Sequence, residues 1–95
     1  MFQAIRFTND PAYRRLLWAT KRGMLELDLM LAYYVQHHFL QLTAEKQQQF
    51  IHLLQQEDTQ LFHWLLQSEP PESPFETIIQ DIVQCNQKKA SQKRV

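Results

Sequence analysis

Residues 24–42 read Met24-Leu25-Glu26-Leu27-Asp28-Leu29-Met30-Leu31-Ala32-Tyr33-Tyr34-Val35-Gln36-His37-His38-Phe39-Leu40-Gln41-Leu42. This run is heavily apolar, contains no Gly or Pro, and is longer than any ordinary strand. It therefore predicts a buried central helix. Glu26 and Asp28 fall near its start, where the helix dipole favours acids. The rest of the chain can be read outward from it.

Upstream, Asp10-Pro11 is a helix start: an N-cap carboxylate followed by Pro at a position whose missing N–H costs nothing. That helix is expected to run from Pro11 to about Arg22, with Lys21 and Arg22 as cations in its last turn and Gly23 as a left-handed C′ residue. Downstream, Thr43 caps a helix from Ala44 to about Gln56, with Phe50, Ile51, Leu53 and Leu54 inward. Asp58 is expected to cap a short helix carrying Leu61, Phe62, Trp64, Leu65 and Leu66. Glu69-Pro70-Pro71-Glu72 is the one clear linker. Ser73-Pro74-Phe75-Glu76 then reads as a capping box opening a fifth helix to about Gln87. The expected fold is all-α: one compact five-helix bundle, with residues 1–9 as a lead-in, 10–87 as the domain and 88–95 as a disordered basic tail.

Composition agrees. The chain has 95 residues, one Gly and four Pro, too few breakers for a many-turned β fold. The net charge is zero, but residues 1–23 hold five bases and one acid, whereas residues 24–87 hold nine acids and one base. Such segregation gives a surface strong local potential. The lone Cys85 excludes an internal disulfide and any CxxC motif. No apolar run approaches the ~20 residues that span a bilayer, and the first residues lack the features of a targeting segment. A soluble, cytoplasmic bacterial protein is the simplest expectation.

Chemistry-bearing groups are sparse. His37 and His38 are adjacent and point to different helix faces. No pair among His37, His38, His52 and His63 on one expected helix is spaced i, i+4, so no metal site is expected. The serines lie in a linker, a cap and the tail, and Cys85 has no neighbours that would activate it. No catalytic residue is assigned. A dinucleotide cradle needs several glycines between a strand and a helix, which a chain with one Gly does not supply.

The segment Lys21-Arg22-Gly23-Met24-Leu25-Glu26 can be read in two ways. Cations, a glycine and a first-turn carboxylate are what any tight helix–helix turn uses. The same residues also suit a partner, with Gly23 allowing close backbone approach and Arg22 able to form a forked pair with a carboxylate. Trp18, one turn earlier, belongs either in the core, the favoured home, or beside Arg22 as an interface anchor. Trp64 is assigned to the core. Arg14 and Arg15 extend the positive charge toward this junction.

The run Trp18-Ala19-Thr20-Lys21-Arg22-Gly23-Met24-Leu25-Glu26-Leu27-Asp28 resembles the RGxxE signature of the FAD assembly factors of succinate dehydrogenase, the SdhE or flavinator family. Glu57-Asp58 followed by Leu61-Phe62-His63-Trp64-Leu65 is similar to that family's second hallmark, and the resemblance spans roughly residues 12–85. It implies a small helical bundle that binds the flavoprotein subunit of succinate dehydrogenase, and often of fumarate reductase; oligomeric state stays open, with a monomer expected. The resemblance further implies that the helper promotes covalent attachment of FAD to that partner; from the residues themselves, no stably held FAD or metal, no nucleic acid and no membrane insertion are expected. By position, the motif falls on Arg22, Gly23 and Glu26, with Lys21, Met24, Arg15 and Trp18 as flanking contacts. Arg22 and Glu26 are expected as exposed contacts and Gly23 as the gap between them. The alternative implied by the resemblance is an antitoxin or regulatory binding module of a toxin–antitoxin pair.

Overall fold

The computed structural model describes residues 2–92, with side chains through residue 88. Its centre is α2, Leu25–His37, which buries Leu27, Leu31, Tyr34 and Val35. Their spacing of four, three and one is a single stripe of a 3.6-residue helix. Along it α2 packs against α1 (Pro11–Ala19), α4 (Asp58–Leu66) and α5 (Glu76–Gln92), while α3 (Ala44–Leu53) closes on α5. No strand occurs among the described residues, and the radius of gyration, 12.9 Å, is that of a single folded unit of this length.

The central helix is not buried all round, as its composition suggested. Leu25 and Leu29 are 74% and 55% exposed, because 100° per residue turns both of them away from the Leu27–Leu31 stripe. Nor does α2 reach Leu42. It ends at His37, and Phe39–Gln41 form a separate 3-10 turn that drops Phe39 into the core.

The helix ends test the capping expectations one by one. The Asp10 carboxylate accepts from Ala12 N–H at 2.9 Å with Pro11 at the start of α1, and the Thr43 hydroxyl accepts from Lys46 N–H at 3.2 Å at the start of α3. Both caps form as expected. Helix α1 stops at Ala19, short of Arg22, because Thr20 bends back: its hydroxyl donates to the Leu17 carbonyl at 2.6 Å. Lys21 and Arg22 are therefore turn residues, and α3 likewise ends at Leu53. Asp58 does not cap α4. Glu57 holds the N-cap position without a side-chain bond, and the Asp58 carboxylate is engaged elsewhere. The expected capping box at Ser73 does not form either. Ser73 and Pro74 make a turn closed by Phe75 N–H to the Glu72 carbonyl at 2.8 Å, and α5 starts at Glu76. That turn seats Phe75 against Trp64, ring centroids 5.6 Å apart.

Helix α5 continues past Gln87 to Gln92, through part of the expected disordered tail. Lysine is a good helix former, and cations suit a helix C-terminus. The rest of that expectation, residues 93–95, lies outside the described residues.

The lead-in is tied down by one buried amide. Gln47 is fully buried, accepts Ile5 N–H at 2.7 Å and donates to the Ile5 and Phe39 carbonyls at 2.8 and 2.9 Å. It serves Ile5 as a neighbouring strand would, and the Arg6 guanidinium adds bonds to the Leu40 and Leu42 carbonyls. Gln47→Leu leaves these buried backbone groups without partners. Urea denaturation should show a loss of about 2–3 kcal/mol, and limited proteolysis should show cleavage near Ile5 well before the helices are cut.

Candidate functional site

The turn between α1 and α2 is built from its own backbone outward. Thr20, 1% exposed, closes α1. The next two free amides go to a single acid: Arg22 N–H donates to Asp28 Oδ1 at 2.8 Å and Gly23 N–H to Oδ2 at 3.1 Å. Asp28 thus reaches back from α2 to hold the turn, while Met24 takes the N-cap position without any side-chain bond. Gly23 sits at φ +86°, in the left-handed region that costs an L residue about 1–2 kcal/mol. A Cβ there would meet nothing within 4 Å. The requirement for glycine is therefore conformational inside the chain, and the space above it is open.

Arg22 points inward. Its side chain is 15% exposed, which overturns the expectation of an exposed contact. Nη1 donates to Asp58 Oδ1 at 3.0 Å, Nη2 donates to the Leu54 carbonyl, and Nε is buried without a partner. Leu54 is the C-cap of α3 and Asp58 the first residue of α4. The guanidinium therefore lies where a helix end favours a cation, next to a first-turn acid.

What the turn offers to solvent is different. Glu26, on the first turn of α2, is exposed. Trp18 is 71% exposed, so its ring is not in the core, and Lys21 Nζ lies 4.6 Å above it. Trp64, by contrast, is buried. A depression of about 700 Å³ opens between α1 and α2, lined by Arg14, Trp18, Lys21, Gly23 and Leu29 among others. Met24 is partly buried against the core. Arg15 is exposed but falls elsewhere, lining a separate hollow with Leu16, Ala19, Ile51 and Leu54. Of the four large apolar residues exposed among those described, three (Trp18, Leu25, Leu29) flank this turn. Sequence reading placed Leu25 and Leu29 inside; their spacing of four, out of phase with Leu27 and Leu31, was the available signal.

A second cluster lies between α2 and α5, where Tyr34, His38, Asp81, Cys85 and Lys88 line a smaller hollow. Burial, with the nearby Asp81 carboxylate, pushes the Cys85 thiol up, away from the thiolate a nucleophile needs. Burial also raises the Tyr34 phenol. Among the described residues no group of three or more His, Cys, Asp or Glu could hold a metal ion, and no helix is long and apolar enough to cross a membrane.

Fold and surface together define a small all-α domain that presents an apolar, charge-edged face beside a glycine turn. A family model described as the flavinator of succinate dehydrogenase matches residues 14–86. The chain belongs to that family. It is 41% identical over 80 residues to an FAD assembly factor SdhE of Coxiella burnetii, covering 82% of this chain and 98% of the relative. A Legionella pneumophila (strain Paris) protein of the same description is 39% identical over 72 residues, 76% of this chain and 91% of the relative. One of Pseudomonas aeruginosa is 46% identical over 64 residues, 67% and 76% respectively. No solved structure matches the chain.

Two outcomes test this geometry. Gly23→Ala should lower stability by about 1–2 kcal/mol in denaturant titrations, and Gly23→Asn by less, since Asn tolerates the left-handed region better; a steric role would rank them the other way. Cys85 should react with a thiol reagent near pH 8 at least about tenfold more slowly in the native protein than in urea.

Proposed function

We propose that this protein binds the flavoprotein subunit of succinate dehydrogenase, and by extension that of fumarate reductase, and promotes covalent attachment of FAD to it. It acts as a monomer in the bacterial cytoplasm, and it is not itself an enzyme. The carrying observation is the exposure of Trp18, Leu25 and Leu29 around Gly23 and Glu26. A large exposed aromatic beside cations is the composition of an interface anchor, and a monomeric domain this small gains nothing by leaving three such side chains in water. Family membership and relatives described as FAD assembly factors support the choice of partner.

On this reading Trp18 and Leu29 fill apolar hollows of the flavoprotein, Lys21 and Glu26 set the register through charge, and Gly23 lets the partner's backbone approach. Arg14 adds positive charge at the edge of the same depression, and Arg15 stands outside it. The bond to FAD is made by the flavoprotein's own groups. The helper holds them in a productive arrangement, and positioning alone can remove several kcal/mol from a barrier.

The test is co-expression with the flavoprotein subunit in cells lacking their own assembly factor, read by in-gel flavin fluorescence. Trp18→Ala and Leu29→Glu should each cut partner binding and flavinylation about tenfold or more, while helical content and melting stay close to wild type, as expected at exposed positions. Undiminished flavinylation in both variants would remove this surface from the reading. A stoichiometric flavin complex of the isolated protein, seen by absorbance titration, would count against the docking mechanism.

A further inference from the structure

We propose that Arg22 and Asp58 form a positioning pair: Arg22 serves partner recognition by fixing the α1–α2 turn on the α3–α4 junction, and Asp58 is its necessary counterpart. This rests on the functional reading above and assigns Asp58 a role in it.

Access to the guanidinium separates a direct contact from a positioning role. A forked pair with a partner carboxylate takes two guanidinium nitrogens on one edge. In Arg22, Nη1 donates to Asp58, Nη2 donates to the Leu54 carbonyl and Nε is buried, and the N–H groups left over belong to a side chain only 15% exposed. Turning outward would take this donor from the Leu54 carbonyl and break contacts to residues 32 and 36 positions away in sequence. The backbone of the same residue is held as well, by Asp28. Side chain and main chain of Arg22 thus fix one end of the turn in two directions. Gly23, Met24 and Glu26 follow directly, so their placement against Trp18 depends on where Arg22 is anchored. Asp58 is 44% exposed while Arg22 is 15% exposed, so the acid lies nearer the solvent and the base beneath it. A partner can touch Asp58's edge but reaches little of the guanidinium.

The experiment uses near-isosteric changes. Arg22→Lys keeps the charge but not the fork, and Asp58→Asn keeps the shape but not the charge. Assistance of flavinylation is titrated against the concentration of each variant, alone and combined. Each single change should raise the half-saturating concentration about tenfold with the plateau unchanged. The combined variant should lie within about twofold of either single one, because removing both ends of one interaction costs little more than removing one. Asp58→Glu, which retains the carboxylate, should recover most of the loss. An effect of Arg22→Lys with Asp58→Asn at wild-type level makes Arg22 a direct contact and overturns the proposal. So do effects that multiply, and so does the absence of any effect. Loss of a cooperative melt in Asp58→Asn also overturns it, since the pair then serves general stability.

A second arm is independent of the partner. Hydrogen exchange of the Gly23 amide, followed by NMR, should be about tenfold faster in Asp58→Asn than in wild type, with the core amides of α2 unchanged. If wild-type protein fails to stimulate flavinylation, the functional reading falls. Unchanged Gly23 exchange instead refutes the pair.

Discussion

A guanidinium wedged between two helix ends sets the course of the α1–α2 turn. Five short helices joined by brief turns bury modest area, and two of those turns, α1–α2 and α3–α4, face each other across Arg22. Its charge is compensated on one side by the carbonyl end of α3 and on the other by Asp58. Hydrogen bonds to a charged group contribute about 1.5–3 kcal/mol each, against about a tenth of that for an exposed ion pair at the low end of its range. With the base covered and the acid half open, the interaction lies between those limits. It ties together segments that no backbone ladder connects, and the orientation of everything from Gly23 to Glu26 follows from it.

Much of this was legible in the residues alone. The absence of Gly and Pro from 24–42 identified the central helix, and Asp10-Pro11 and Thr43 marked starts that form as expected, because a cap is a local interaction between residues two or three apart. Features set by distant partners were not legible. Nothing near Arg22 announces that its side chain ends 36 residues away on Asp58, and nothing near Asp58 says that it forgoes its own helix. The Ser73 box yielded to a turn that seats Phe75 on Trp64, tertiary packing outranking a local signature. Leu25 and Leu29 are a different kind of miss: the helical period was present, but apolar content overrode it.

The motif at the junction consequently splits by direction. Its arginine is turned into the protein, its glycine supplies a backbone conformation, and its glutamate faces water. Residues outside it, Trp18, Leu25 and Leu29, provide the apolar area. Each Leu left in water forgoes about 1.5–3 kcal/mol of burial, a sizeable sacrifice for a domain whose total stability is about 5–15 kcal/mol. The face is a place where stability is withheld from folding and remains available for association.

Asp28 has a further effect, on what kind of ligand the turn can accept. Successive backbone amides at a glycine turn ahead of a helix form the concavity that elsewhere captures phosphates and carboxylates. Here both amides, of Arg22 and Gly23, are already closed by the chain's own carboxylate. A pyrophosphate brought to this point would meet negative charge where a nucleotide-binding turn presents bare N–H groups. The site is a self-quenched anion nest. Both amides are satisfied from within the chain, so what stays open at this turn is its side chains and the space above Gly23.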